Sequence, residues 1–196
     1  MAKKLKRNAN GKKAPEKSSN GEVKAELASF PAGQPAVAGK PVSASRTELI
    51  EAVFPNDANV LGSMLGGRVM HLIDITGALA AARHANSHVV TASVDYLDFR
   101  FPIQVGEFIV LRASVNRVFH TSMEVGVKVF AENVLTGELR HTSSAYLTFV
   151  ALDASRQPHP APPLILETDE DRRRYREAGE RRESRLALRH KRAEHA

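Results

Sequence analysis

One apolar helical run followed by four segments with the two-residue period of half-buried strands constrains this chain more than any other feature. From about Gly66 to about Arg83 the apolar residues recur at helical spacing, and Asn86-Ser87 then supplies a stop signal. Val90, Ala92, Val94 and Tyr96 form one face of the first strand, and Ile109, Leu111, Ala113 and Val115 one face of the second. Met123, Val125, Val127 and Val129 do the same for the third, and Ala145, Leu147, Phe149 and Ala151 for the fourth. A further short strand, Thr47 to Phe54, precedes the helix and is broken by the turn-forming stretch Pro55-Asn56-Asp57-Ala58-Asn59. Connections at Pro102 to Gly106, Phe119 to Thr121 and Thr136-Gly137 are short enough for antiparallel neighbours. This order predicts an α+β layer: a single long helix laid by its apolar stripe on one face of an antiparallel sheet of about five strands.

The flanks differ in composition from this block, which places a domain at 46–154. Residues 1–45 are rich in Lys, Ala, Gly, Pro and Ser without apolar periodicity and read as a disordered basic arm. Residues 155–196 open with Gln157-Pro158-His159-Pro160-Ala161-Pro162-Pro163, a stiff linker, and continue into a charged helix from about 169 to 190 that starts at Thr168-Asp169-Glu170-Asp171. With so little apolar face, that helix must lie on the domain, lie on a partner subunit, or fray. The formal charge of +6 also belongs to the flanks. Residues 1–45 carry nine Lys/Arg against three acids and residues 155–196 eleven against eight, whereas 46–154 carry eight against eleven. An acidic central block argues against a nucleic-acid partner. There is no cysteine, which removes disulfides, thiolate metal ligation and a cysteine nucleophile. No targeting segment and no run of about 18 apolar residues is seen, so no membrane partner and a cytoplasmic location are expected.

Within the helix, Asp74 interrupts the apolar run Val69-Met70-His71-Leu72-Ile73 and Ile75-Thr76-Gly77-Ala78-Leu79. A carboxylate there costs several kcal/mol of desolvation, roughly 2 to 7 for a polar group left unbonded, unless it is paired or has a task. The other readings are an Asp74 that faces solvent and one paired with Arg68, His71 or Arg83. Gly66-Gly67 at the helix start has no side chains to block a ligand from the first N–H groups, where the positive end of the helix dipole also points. Asn59 stands on the loop that leads into this start. Two helical turns, roughly 11 Å, separate the glycines from Asp74. One subunit therefore cannot close both onto one small group, and a two-fold dimer interface would complete the site. Donors at a helix start would stabilise an oxyanion, worth about 3 to 4 kcal/mol each, while Asp74 activates water or attacks directly. The alternative is that the glycines only permit close packing.

Other chemistries find little support. His71, His84, His88, His120 and His141 lack metal-site spacing, so no metal is expected. Ser122 has no Gly-x-Ser-x-Gly elbow, and no Walker A or dinucleotide-binding glycine pattern occurs.

The stretch Pro55-Asn56-Asp57-Ala58-Asn59-Val60-Leu61-Gly62-Ser63-Met64-Leu65-Gly66-Gly67, with Met70-His71-Leu72-Ile73-Asp74 and Ala82-Arg83-His84, resembles the hotdog-fold acyl-CoA thioesterases of the cytosolic, brain-type acyl-CoA hydrolase group. Val89-Val90-Thr91-Ala92-Ser93-Val94-Asp95, Ser122-Met123-Glu124-Val125, Ala145-Tyr146-Leu147-Thr148-Phe149-Val150 and Arg174-Tyr175-Arg176-Glu177 extend the likeness to about residues 46 to 190. The resemblance implies a central helix wrapped by a curved antiparallel sheet with a C-terminal helical extension, a homodimer with a continuous sheet, and a trimer of such dimers. It also implies hydrolysis of acyl-CoA to free CoA and a carboxylic acid, with coenzyme A part of substrate and product and no separate cofactor. On this view Asp74 is general base or nucleophile, Asn59 orients the thioester or water, and the Gly67 N–H, with Gly66, forms the oxyanion site. Arg100 and Ser122 are candidate contacts for the CoA portion. Leu65 departs from the family, whose members often carry His or Phe before the glycine pair. A non-catalytic acyl-CoA sensor and a hydratase on the same fold are the competing readings.

Overall fold

The computed structural model describes residues 38–193. Most of the expected basic arm, 1–37, lies outside the described residues. The elements in chain order are β1 (Lys40–Pro41), a short 3-10 turn, β2 (Thr47–Ala52), α1 (Gly66–Ala85), β3 (His88–Phe99), β4 (Phe108–Val118), β5 (Ser122–Asn133), β6 (Glu138–Leu152), β7 (Leu164–Ile165) and α2 (Asp169–Ala193). Five strands form one antiparallel sheet in the order β2-β4-β5-β6-β3, and α1 packs against every one of them. This is the hotdog arrangement of a long helix wrapped by a sheet.

Helix α1 forms where its periodicity predicts. Its buried face is Val69, Leu72, Ile73, Thr76, Gly77, Ala80, Ala81 and His84, set against Leu111, Val125, Val127, Leu147 and Phe149 in one continuous core. Gly77 lets the helix touch the sheet: a Cβ there would stand 3.1 Å from the Phe149 ring. The helix ends at Asn86, which takes the left-handed conformation (φ 52°, ψ 36°) and donates its N–H to the Ala82 carbonyl. Lys40 adds a cap, its Nζ donating to the Arg83 and His84 carbonyls at 2.6 and 3.0 Å.

The strand faces expected for β4, β5 and β6 are the buried ones. Strand β3 differs. It pairs with β6 at the sheet's edge and not with β4, so the segment after Phe99 crosses the end of the sheet, bonding Met64 and Val53 on the way. Two register shifts, between Thr91 and Ser93 and between Val94 and Tyr96, put extra residues Ala92 and Asp95 into the strand. Each shift reverses the alternation. Val89, Thr91, Val94 and Leu97 consequently stand opposite the core-facing Ala151, Phe149, Leu147 and Ala145, while Val90 stands opposite Val150 on the other side. The expected single face Val90, Ala92, Val94, Tyr96 does not exist.

The flanks are better integrated than their composition suggests. Residues 38–45, expected within the arm, include β1 paired with β7, and Val42 and Ser45 are buried. The proline-rich stretch does not leave the domain either. Ala161 and Leu164 are core residues, the Pro162 carbonyl accepts from His84 Nε2 at 2.8 Å, and the Pro163 carbonyl accepts from the Lys40 N–H at 2.8 Å. Helix α2 lies on the sheet face opposite α1, where polar contacts hold it. Arg174 donates to Ser114, Arg117 donates to the Tyr175 carbonyl, and Arg181 forms a bidentate pair with the fully buried Glu124.

Candidate active site

The described residues leave the start of α1 open. Its N-cap residue, Leu65, makes no side-chain cap and the first turn holds no acid. Arg68 and Val69 already donate to the Leu65 carbonyl, which leaves the preceding N–H groups, Gly66 and Gly67, facing outward. A Cβ on Gly67 would meet nothing within 4 Å, and one on Gly66 would only reach ordinary contact with Phe99 at 3.6 Å. Packing among the described residues of one protomer therefore does not require glycine here. Arg68 fixes the approach to this start through ion pairs with Glu51 and Asp57, and Leu65 donates to the Asp57 carbonyl at 2.8 Å.

Asn59 shapes the same approach. Its Oδ1 accepts the Leu61 and Ser63 N–H groups at 2.9 and 3.2 Å, and its backbone N–H donates to the Ser63 carbonyl at 2.8 Å. Gly62, at φ +76°, closes that turn. With the amide oxygen committed to the turn, the Asn59 NH2 is the group left to meet a ligand.

Asp74 is half-buried and takes none of the charged partners expected for it. Arg68 is engaged with Glu51 and Asp57, and Arg83 donates to Arg46 and Thr47. Instead Thr91 Oγ1 donates to Asp74 Oδ1 at 2.6 Å. A hydroxyl donor points the carboxylate without pairing its charge as a bonded arginine would. Gly67, His71, Asp74 and Ala78 follow one another at helical spacing along the face of α1 that the described residues leave uncovered. Met70, Ile75 and Leu79 on this side are all more than 40% exposed, and β3 beside it is an unpaired edge.

Thr91 is the site residue that sequence reasoning missed. An unbroken alternation assigns it to the face away from the core, and only the shift after it reveals the side to which it turns. Of the remaining candidates, Arg100 sits just past β3, paired with Asp98 at 3.1 Å, near the Gly66 end. Ser122 alternates with the core-facing Met123 and so belongs to the α2 side of the sheet, away from Asp74. The structure brings Asp74 and Thr91 together and does not bring Arg100 or Ser122 to them. A groove lined by Arg112, Lys128, Tyr146 and Arg174 runs on that other face, and none of the expected site residues reaches it. His84, wholly buried, is pushed below its ordinary pKa by burial, an effect the bond to the Pro162 carbonyl only partly offsets. It is a buried core residue. Among the described residues no cluster of His, Cys, Asp and Glu could hold a metal ion, and no helix is long and apolar enough to cross a membrane.

An uncapped helix start and a hydroxyl-bound carboxylate thus share one open face of a sheet-wrapped helix on the hotdog fold. The thioesterase superfamily signature matches residues 61–138. The Bacillus subtilis acyl-CoA thioester hydrolase YkhA is 42% identical over 119 residues, 61% of this chain and 69% of that protein. Mouse acyl-coenzyme A thioesterase 11 is 40% identical over 147 residues, and there the match covers 74% of this chain but only a quarter (25%) of the mouse protein. The Staphylococcus aureus acyl-CoA hydrolase, solved with butyryl coenzyme A and coenzyme A, is 36% identical with a TM-score of 0.74, covering 79% of this chain and 94% of that one. A hexameric acyl-CoA thioesterase is 43% identical with a TM-score of 0.75, covering 78% and 97%. The chain belongs to the thioesterase superfamily, within its acyl-CoA hydrolases. Structures of the Staphylococcus aureus enzyme exist with alanine replacing an asparagine, an aspartate 15 positions later and a threonine 17 positions after that. Asn59, Asp74 and Thr91 have the same spacing.

Proposed function

We propose that this protein hydrolyses acyl-CoA to a carboxylic acid and free coenzyme A at sites completed by a second copy of the chain. The observation that carries the proposal is the placement of the uncapped α1 start and Asp74 on the one helix face left uncovered. The thioester carbonyl oxygen would accept the Gly67 N–H, with Gly66 beside it, so that negative charge developing on that oxygen meets fixed donors. Asp74 removes a proton from water as the water's oxygen attacks the carbonyl carbon. The tetrahedral intermediate then expels the thiolate, which takes the proton from Asp74. An alkyl thiol of pKa about 8.5 leaves without a strong acid. Direct attack by Asp74, giving an anhydride that water opens, uses the same geometry. Asn59 orients the carbonyl or the water through its NH2, and Thr91 keeps Asp74 aimed. Water, one carboxylate and N–H donors balance the reaction, so coenzyme A enters only as part of the substrate and no cofactor is proposed.

The partner copy follows from distance and exposure. Gly67 and Asp74 are about two helical turns apart, roughly 11 Å, so one reacting group cannot touch both within one protomer. A two-fold axis beside β3 would set one subunit's helix start near its partner's Asp74 while covering the apolar side of α1 and the free edge of β3. A trimer of such dimers is the assembly we propose, supported by the hexameric relative. A cytoplasmic location belongs to the same proposal, since nothing in the cysteine-free chain calls for an oxidising compartment.

Release of free thiol from acyl-CoA esters of short to long chain tests the activity, because a sensor or a hydratase releases none. Asp74→Ala is expected to lower turnover by roughly 10²- to 10⁴-fold while coenzyme A binding, followed by calorimetry, persists. Turnover close to wild type in that variant would remove the mechanism.

A further inference from the structure

The edge strand β3 contains an improbable segment. Between Thr91 and Tyr96 six residues run beside only four of β6, Phe149 back to Tyr146, because Ala92 and Asp95 are both inserted. Two bulges so close together give up ladder bonds and leave the local register weakly specified. Among the described residues only β6 flanks this strand, and its other edge is the one that a second copy would cover. Within the protomer, side chains fasten the two ends of the segment. At one end Thr91 is fastened to Asp74 of α1 at 2.6 Å. At the other, the Asp95 carboxylate accepts from Ser93 Oγ at 3.3 Å and forms an ion pair with Arg185 of α2. That pair is well shielded, with side-chain exposures of 11% for Asp95 and 20% for Arg185. Arg181, one turn earlier, is anchored on Glu124 at 2.6 Å and lies 3.7 Å above the Tyr146 ring. The base from which Arg185 reaches out is therefore rigid.

We propose that α2 is a positioning element for the site on the opposite face of the sheet, and that Arg185 is its acting residue. By holding Asp95 in its bulge, Arg185 fixes the phase of the segment and so keeps the Thr91 hydroxyl turned towards Asp74. Loss of this hold lets the segment slide towards regular pairing. Because neighbouring positions face opposite sides, a shift of one residue carries Thr91 off the α1 face. Arg185 itself touches no reacting atom. The inference rests on the reading of Asp74 as the acting acid.

The test compares Arg185→Ala, Arg185→Lys and Asp95→Asn with Arg173→Ala in the full-length protein, using thiol release from butyryl- and lauroyl-CoA. Among the described residues Arg173 pairs with Glu170 and Glu177, both on its own helix. Arg185→Ala and Asp95→Asn are expected to lower kcat by up to roughly 10-fold, no more than loss of the Thr91 hydroxyl itself, with KM changed less than about 2-fold. Arg185→Lys should recover part of the loss, and Arg173→Ala should match wild type. Amide hydrogen exchange at 91–96 should quicken in Arg185→Ala while the amides of α1 keep their protection. Full kcat in folded Arg185→Ala overturns the inference, as does a loss accounted for entirely by a smaller folded fraction. If Arg185→Ala does not fold, Asp95→Asn decides by the same two criteria. Asp74→Ala run alongside separates the two claims: an active Asp74→Ala removes the acid itself, whereas an inactive one beside a normal Arg185→Ala removes only the role of α2.

Discussion

Removing the Arg181 side chain should show that α2 is held by charge and not by apolar burial. Glu124 has no exposed surface and accepts from Asn116 Nδ2 at 3.0 Å and from Arg181 Nη2 and Nε at 2.6 and 3.2 Å. Arg181→Ala leaves that carboxylate with one neutral donor in a buried position. Stranding half of a buried pair costs about 3 to 5 kcal/mol. The lower end applies here, because the Arg181 side chain is 23% exposed and water can enter behind the truncation. A loss of about 3 kcal/mol in a chain of this size lowers Tm by roughly 6 to 12 °C, and urea unfolding with m near 2 kcal/mol/M should move its midpoint down by about 1.5 M. Both measurements need matched protein concentrations, since an oligomer's stability depends on concentration. The double variant Glu124→Gln with Arg181→Met, which removes the charge and keeps the volume, should regain most of the loss. Arg173→Ala should leave the midpoint where it is. A loss below about 1 kcal/mol in Arg181→Ala would refute the reasoning, because water would then be solvating Glu124 as well as Arg181 does.

The two glycine positions of α1 should respond in opposite ways. Gly67→Ala meets no atom, so stability should hold or rise by up to about 1 kcal/mol while thiol release falls; unchanged turnover would place the ligand elsewhere. Gly77→Ala presses on the fully buried Phe149 ring and should destabilise by about 1 to 3 kcal/mol, before any helix-propensity gain, in chemical denaturation; a more stable protein would contradict the close approach. Thr91→Ala should slow turnover roughly 10-fold, the ~1.5 kcal/mol of a hydrogen bond to a charged group, and Thr91→Ser should restore it. His84 gives the pH dependence. Its folded pKa lies below the ordinary value, so as pH falls through about 6.5 the unfolded chain takes up a proton that the native state does not, and stability drops. Melting curves from pH 7.5 to 5.5 should fall more steeply for wild type than for His84→Gln, and parallel curves would remove His84 as a source of acid sensitivity.

What the sequence determined is whatever depends on local pattern. Periodicity places α1 and the inward faces of β4, β5 and β6, because in those elements each side chain's direction follows from its position in the element. Asp74 and Gly66-Gly67 stand out for the same reason: each is the wrong residue for a helix of simple packing, and such local exceptions are visible without a fold. Thr91 was not visible, because its direction depends on a register shift between two strands 58 residues apart, Thr91 against Phe149. Composition reads the proline-rich stretch as a linker and leaves open where α2 lies. Their burial is settled by the His84 and Lys40 contacts and by Arg181 on Glu124, all between residues distant in sequence. Tertiary structure alone decides such matters, since the favourable term for each segment comes from a surface that the rest of the chain must first build.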